Sequence, residues 1–259
     1  MAIKEIYNYR ELLKTNVKKD IRGKYKGSIL GILWSFLNPL LQVVVYWIVF
    51  PYLFRAASID NYLLYLVTGI IPWTFFITVI NGGTMSMKAN AGIIKKVYFP
   101  REILLISQVF SGIVNFLISC IIIVIFCFLT GAGISYHIVF LPILVIIQSA
   151  LSLGIIFILS ALNVYIQDIE YIVQFILNMA FYGTPILYQL NMFSNAGTLL
   201  KIIAINPMTI LINGYRDIFF YHNWPQAKGL VFVSLLAVCL LFLGYWIFKK
   251  LEKGFAEEL

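Results

Sequence analysis

The sequence predicts an all-α polytopic membrane protein with six transmembrane helices, a fold class that three observations indicate. The chain has 259 residues, of which 61% are hydrophobic and only 12% charged, whereas soluble domains are about 25% charged. Six long stretches contain no Asp, Glu, Lys or Arg. They are continuous apolar runs, not the alternating segments of about ten residues that predict a membrane β-barrel. Intrinsic disorder is excluded by the same composition.

Each charge-free stretch is long enough to cross a bilayer as a helix, which takes about 17 to 25 residues. The stretches comprise residues 30–54, 62–87, 103–130, 138–163, 172–188 and 229–248. The fifth is the shortest, and the basic character of both chain ends supports it, because two ends on one side require an even number of spans. We interpret residues 1–259 as a single transmembrane domain.

The distribution of basic residues predicts that both termini face the cytoplasm. Segments rich in Lys and Arg remain on the cytoplasmic side. With a cytoplasmic N-terminus, 15 of the 19 basic residues lie inside and 4 lie outside. Residues 88–102 and 163–171 then form cytoplasmic loops, and residues 189–228 lie outside.

Residues 1–29 predict a basic amphipathic helix that lies in the membrane interface. Within residues 3–22, Ile3, Ile6, Leu13 and Val17 share one face, and most of the charges fall elsewhere. A basic amphipathic helix binds the membrane surface, and its cations attract anionic headgroups. A simple topology anchor is the alternative interpretation.

The two predicted cytoplasmic loops differ in character. Residues 88–102 carry apolar side chains outside any span, namely Ile93, Ile94, Val97, Tyr98 and Phe99. Such a segment can dock into a groove of a partner protein or lie as a turn on the lipid surface. The other loop carries Asp168 and Glu170, which do not face each other on a helix. Helix capping or partner docking is therefore favoured over acid–base chemistry.

The predicted outside segment, residues 189–228, is long but apolar. Leu199–Ile205 and Met208–Ile212 are too short to span a bilayer, so we expect short re-entrant helices packed against protein or a water-filled cavity. Aromatic residues cluster around them. They form either an interfacial belt or a set of rings that contacts sugar faces at a channel exit.

No ionisable residue falls within the six spans. Proton-coupled transport and membrane-embedded catalysis both need such groups, so the sequence argues against both. A phosphate-binding Gly-Lys-Ser/Thr loop is also absent. Cys120, Cys127 and Cys239 lie in apolar spans and have neither disulfide nor metal-ligand spacing. We therefore expect no cofactor or metal in this chain, no nucleic-acid partner, and an energy source on another chain.

Several motifs resemble a known family over essentially the whole chain. They comprise Ile21–Gly31, Leu33–Leu40, Lys96–Glu102, Asn163–Tyr165 with Asp168-Ile169, Asn206-Pro207 and Tyr215–Asp217. In these motifs the chain resembles the membrane subunit of ABC exporters for polysaccharides and polyol phosphates, the class that exports O-antigen, capsule and teichoic acid.

The resemblance implies a homodimer of this chain with two ATPase subunits, which would bind ATP and Mg, in a bacterial cytoplasmic (inner) membrane. The substrate would be a lipid-linked polysaccharide that passes between the two copies, in contact with membrane lipids. The implied ATPase-coupling residues are Ile94, Lys95, Lys96, Tyr98, Phe99, Pro100, Arg101, Glu102, Tyr165, Gln167, Asp168 and Glu170. The implied substrate entrance comprises Arg22, Lys24, Tyr25, Lys26, Trp34 and Asn38. The implied channel and exit gate comprise Phe181, Tyr182, Pro185, Tyr188, Asn206, Pro207, Tyr215 and Arg216.

One position departs from the resemblance. Gln167 stands where family members often carry a basic residue before the aspartate. Two alternative functions also stay open from the sequence: an ABC permease for drugs or small lipids, and a multispan membrane enzyme of glycan assembly. The first shares the fold and differs only in substrate. The second would be active as the purified chain alone.

Overall fold

The structure is a computed structural model that describes residues 8–23, 27, 33–54, 59–192 and 197–259. Across these ranges the chain is helical, with short 3-10 turns and no β-strand. The all-α class that the sequence predicts is confirmed for this part of the chain.

Eleven helices occur in the described residues. They are α1 (Arg10–Gly23), α2 (Trp34–Phe54), α3 (Tyr62–Ala89), α4 (Ala91–Ile94), α5 (Glu102–Leu129), α6 (Leu141–Tyr165), α7 (Ile169–Tyr182), α8 (Gly197–Ile205), α9 (Pro207–Phe219), α10 (Ala227–Leu251) and α11 (Phe255–Glu258). Short 3-10 turns occupy Tyr136–Phe140, Leu190–Met192 and Glu252–Gly254.

Four helical segments of the described chain are long and apolar enough to cross a membrane. They are Tyr62–Ala89, Glu102–Leu129, Tyr136–Tyr165 and Ala227–Gly254, close to the second, third, fourth and sixth predicted spans. Two further apolar helices, Leu37–Pro51 within α2 and Ile169–Tyr182, are shorter. Six crossings and the side on which the termini lie stay predictions.

The fifth predicted span, residues 172–188, is not one continuous helix. Helix α7 has 14 residues, a length of about 21 Å at 1.5 Å per residue, whereas the bilayer core is about 30 Å thick. After Tyr182 the chain turns over residues 183–189. Helix continuation is opposed by Pro185, which has no backbone N–H and disfavours helical geometry in the residue before it.

Helix α3 is the centre of the bundle. It contacts α2, α5, α6, α7 and α9. Of the residues in its most apolar 18-residue stretch, 78% are buried, whereas only 22% are buried in the corresponding stretch of α10. A buried amide joins it to α6, since Gln148 Nε2 donates to the Pro72 carbonyl at 2.8 Å. A helix that is apolar on all its faces is typical of the middle of a membrane bundle.

Helices α6 and α10 approach closely through two glycines. A Cβ atom on Gly154 would lie 2.7 Å from the Leu240 carbonyl carbon, and one on Gly244 would collide with the Gly154 carbonyl oxygen. Small residues at such crossings let two backbones pack closely where the hydrophobic effect offers little driving force. The pair therefore fixes α10 against the bundle.

The helices run between two ends of different composition. The lysine-rich end comprises residues 88–102, 163–171 and 249–259, and the aromatic end comprises residues 130–137, 183–192 and 220–228. Glu170 pairs with Lys88 at 3.7 Å at the first end, and the Leu187 carbonyl accepts from Tyr62 at 2.9 Å at the other. The segment from Glu170 to Leu187 thus passes from one end to the other, although α7 is short.

Helix α1 packs beside α5. It begins at Arg10, inside the helix that the sequence predicts over residues 3–22, and ends at Gly23. Ser111 Oγ donates to Asp20 Oδ2 at 3.4 Å, and burial raises the pKa of this carboxyl group above its ordinary value. Asp20 therefore belongs to the packed side of the helix.

Candidate functional site

The 88–102 loop exposes an apolar and basic surface at the lysine-rich end. Its members, here called the docking surface, are Ile93, Lys95, Lys96, Val97 and Tyr98. Tyr98 is 95% exposed and Val97 is 57% exposed. Tyrosine is enriched at protein interfaces and at binding hot spots, so an almost fully exposed tyrosine indicates a protein-binding surface.

Three residues of this loop that the resemblance assigns to coupling face inward. Ile94, Phe99 and Glu102 are all buried, with Glu102 only 1% exposed. The resemblance implies coupling contacts for them, but within this chain their side chains pack inside. They anchor the loop at the end of α4, before α5 and at the start of α5.

The C-terminal segment holds the docking surface in place. Arg101 donates to the Glu252 carbonyl, and its guanidinium lies 5.5 Å from the centre of the Phe255 ring. Lys249 lies 3.1 Å from the Glu102 carboxylate and 2.9 Å from Glu252. The sequence gives no local sign of this contact, because its two sides are about 150 positions apart.

The second loop joins the same assembly. Tyr165 donates to the Leu251 carbonyl at 2.7 Å. Lys88 donates to Asn163 Oδ1 at 3.2 Å and pairs with Glu170, so Glu170 is partnered within the chain. Asp168 and Gln167 are exposed. The Asp168 side chain does not cap α7, which corrects the capping interpretation and leaves its carboxylate facing outward.

Two residues of the predicted entrance line a neutral cleft. Trp34 and Asn38 border a cavity of about 140 Å³ between α2, α3 and α5. Its other lining residues include Thr74, Thr78, Asn115, Ser119, Phe75 and Phe116. Arg22 lies in α1, and Lys24, Tyr25 and Lys26 fall outside the described residues. The cleft presents amides, hydroxyls and rings, but no charge.

Helix α7 exposes a polar and aromatic stripe. Tyr171, Gln174, Asn178 and Tyr182 are all exposed, and their spacing of three or four residues places them on one face. We call these four residues the α7 stripe. An amide that faces hydrocarbon without a partner is unfavourable. The stripe therefore suits a water-filled lumen or a protein contact better than lipid. Sequence reasoning missed Gln174 and Asn178, whose regular spacing within an apolar helix was the available signal.

The predicted exit residues do not form one surface. Phe181 is buried, with its ring centre 5.7 Å from that of Tyr46 and 5.9 Å from that of Trp73, whereas Tyr182 is exposed. Tyr188 is partly buried, and its carbonyl accepts from Tyr65. Asn206 caps α9 by accepting from the Met208 N–H at 2.9 Å, and Pro207 is the first residue of that helix.

Tyr215 and Arg216 are buried in the protein and do not face a channel. Arg216 is 1% exposed, and its guanidinium stacks 3.5 Å above the Tyr65 ring. It donates to the carbonyls of Pro185 at 2.6 Å and Ile186 at 2.8 Å. Burial lowers its pKa, yet arginine stays charged in proteins. Arg216 thus fixes the turn after α7, whereas the resemblance implies a place for it in the exit gate.

Comparison with known proteins agrees with this architecture. The pattern of the ABC-2 type transporter family matches residues 11–220. The chain is 33% identical to the O-antigen export system permease protein RfbA of Myxococcus xanthus, over 99% of this chain and 98% of that one. It is 36% and 35% identical to two proteins of the same name from Klebsiella pneumoniae, each matched over its full length. A transporter is thereby favoured over a membrane enzyme. The chain belongs to the ABC-2 type transporter family.

Proposed function

We propose that this chain is the channel-forming permease subunit of an ATP-driven exporter that moves a lipid-linked polysaccharide across the cytoplasmic membrane. One observation carries the proposal. Relatives named as O-antigen export permeases match this chain over 99% to 100% of its length. Because the match covers every helix, it extends to the surfaces that would contact a substrate.

The chemistry of the exposed polar surfaces supports a neutral glycan. The α7 stripe and the cleft beside Trp34 offer amides, hydroxyls and aromatic rings. Amides and hydroxyls exchange hydrogen bonds with sugar hydroxyls, and aromatic rings pack on apolar sugar faces. Fixed charges would bind ions or phosphates at discrete points. A long polymer slides more readily along groups that bind each sugar weakly.

We propose further that two copies of the chain assemble with their α7 stripes facing a shared lumen. Gln174 and Asn178 are exposed on the single chain, so in a membrane one copy alone would leave their amides facing hydrocarbon, which is unfavourable. Two copies that face each other would place these amides along a wet path and leave the aliphatic faces to lipid. In this arrangement the chain crosses the membrane six times, with both termini cytoplasmic, as its basic residues favour.

The ATPase subunits, which would carry ATP and Mg, would bind at the lysine-rich end. The docking surface supports this placement, because it combines an almost fully exposed tyrosine with aliphatic residues and two lysines. The exposed Asp168 and Gln167 lie on the second loop at the same end. Energy from ATP would then reach α3, α5 and α7 through the loops that directly precede or follow them.

Export in living cells tests the proposal. In a strain that lacks its own copy, the wild-type chain should restore surface polysaccharide, whereas Gln174→Leu/Asn178→Leu should reduce it about tenfold, since two weak hydrogen-bonding groups are lost. The matched control, Ile176→Leu/Met179→Leu, alters another exposed face of the same helix. Polysaccharide is measured on the cell surface and inside the cell. Normal export by the first variant at normal abundance would contradict a lumen lined by the stripe.

A further inference from the structure

A second polar cavity lies at the aromatic end, beside the turn after α7. Its volume is about 410 Å³, and α9, the start of α10 and the turn after α7 enclose it. The polar lining comprises Gln189, Thr209, Asn213, Asp217, Tyr221 and Gln226. Small-molecule sites typically have volumes of about 300–1,000 Å³ and a few converging polar groups. The cavity has the size and the lining of a binding site.

Two of these side chains make no side-chain hydrogen bond within the described residues, and the charge of Arg216 acts on one of them, Asp217. Thr209 is 1% exposed, and its buried hydroxyl makes no hydrogen bond. A buried hydroxyl without a partner is unfavourable, so a ligand or water that reached it would be stabilised. The Asp217 carboxylate has no hydrogen-bond donor among the described residues, and burial raises its pKa to about 6. Both groups line the same cavity.

The walls of the cavity are held by other contacts. Arg216, next to Asp217 in sequence, binds the Pro185 and Ile186 carbonyls. The Asp217 carbonyl accepts from the Asn223 N–H at 2.8 Å. Gln189 Nε2 donates to the Tyr221 hydroxyl at 3.2 Å. The polar groups are thus positioned before any ligand arrives, which reduces the entropy lost on binding.

The chemistry of the lining selects the class of ligand. Among the described residues, no Lys, Arg or His lines the cavity, and the Asp217 carboxylate repels anions, so phosphates and acidic groups are disfavoured. Three amides, a hydroxyl and a carboxylate offer the mixed donors and acceptors that neighbouring sugar hydroxyls need. Tyr221, which is 44% exposed, supplies an aromatic ring for an apolar sugar face.

We propose that this cavity is a sugar-binding subsite that holds one or two pyranose rings at the aromatic end of the chain. The inference rests on the proposed function and adds a binding site at the aromatic end of the chain. Its rings could come from the polysaccharide in transit or from finished polymer outside the cell. The chemistry of recognition is the same for both sources, and polysaccharide added from outside to cells with an inactive ATPase separates them.

Binding is measured on the full-length chain in lipid nanodiscs by saturation-transfer NMR. The probe is a repeat-unit oligosaccharide prepared from the surface polysaccharide of the producing cell, and sorbitol is the control probe. We expect transfer to the oligosaccharide and not to sorbitol. Asp217→Asn and Thr209→Val should each weaken binding about fivefold to tenfold, because each removes one hydrogen-bonding group. The matched controls Asp60→Asn and Thr198→Val, both exposed outside the cavity, should bind as wild type does.

Absence of transfer to the oligosaccharide would overturn the inference. Binding by the Asp217 and Thr209 variants that equals wild-type binding would also overturn it. Because Thr209→Val preserves side-chain shape, it keeps the test valid if Asp217→Asn folds poorly. Melting curves of each variant verify folding. A photo-crosslinking residue at Asn213 identifies the source in cells. Capture of purified polysaccharide added outside cells with an inactive ATPase marks finished polymer, whereas capture that occurs only in cells with an active ATPase, and not from added polysaccharide, marks polymer in transit. No capture in either case would also overturn the site.

Failure of the sugar-binding subsite can be distinguished from failure of the proposed function. If the proposed function is wrong, cells that lack this chain will have normal surface polysaccharide. If only the sugar-binding subsite is wrong, the binding and capture measurements will fail while export still depends on the chain.

Discussion

Arg216 illustrates how one buried side chain stabilises a segment without regular structure. The turn after α7 leaves backbone carbonyls without helical partners, and buried carbonyls must be satisfied. The guanidinium satisfies two of them and covers the Tyr65 ring. Its charge is offset by carbonyl dipoles, the π face of the ring and the field of the Asp217 carboxylate. The turn, α3 and α9 are thereby joined at one point.

Replacement of this residue should destabilise the chain. In Arg216→Met, the carbonyls of Pro185 and Ile186 lose their donors at a cost of about 1–3 kcal/mol each. Arg216→Lys should recover only part of the loss, because an ammonium group lacks the planar fork. Thermal unfolding of the purified chain in detergent measures the effect, with Lys201→Met as an exposed control. A wild-type unfolding midpoint for Arg216→Met would contradict this role.

At the scale of the elements, the loop after α3 and the C-terminal segment form one unit. Arg101 and Glu102 bind residues 249–255, and Tyr165 of the second loop binds the same segment. The exposed part of the docking surface is therefore presented on a fixed base. A force applied to Tyr98 would be transmitted to α3, α5, α6 and α10 together, since all four end at this assembly.

Tyr98→Ala should uncouple the transporter. Truncation of an interface aromatic at a binding hot spot typically costs about 2 kcal/mol or more, equivalent to about 30-fold weaker association. We expect the chain to reach the membrane normally, while copurification of the ATPase subunit and export both fall. Tyr136→Ala, an exposed tyrosine at the opposite end, serves as control. ATPase binding that is unchanged in Tyr98→Ala would show that the surface has another use.

The elements also separate what a sequence can predict from what it cannot. The four long spans follow from the length of charge-free sequence, which is a local property, and their predicted ends lie within a few residues of the helix ends. Pro185 is a local signal against continuation of α7, but the path of the turn after it depends on a donor about 30 positions away, Arg216. Burial of Phe99 beside exposed Tyr98 depends on the packing of the loop against the rest of the chain. Such distant contacts leave no periodic pattern in the sequence.

On the scale of the whole molecule, the location of charge separates the functions of the two ends. The lysine-rich end carries ion pairs and the exposed docking surface. The middle offers neutral amides, hydroxyls and rings, and the aromatic end contains the buried Arg216 and the cavity at Asp217. This order matches the demands on an exporter of a neutral polymer. Coupling needs specific charged and aromatic contacts, whereas conduction needs weak and repeated ones.

Reconstituted transport tests the central claim most directly. The purified chain and its ATPase subunit are placed in proteoliposomes that carry a lipid-linked polysaccharide in the outer leaflet, and ATP is added outside. We predict that the glycan becomes protected from an external glycosidase only when both subunits and hydrolysable ATP are present. Protection without the ATPase subunit, or transport of a glycan-free lipid while the polysaccharide stays outside, would contradict the proposed function.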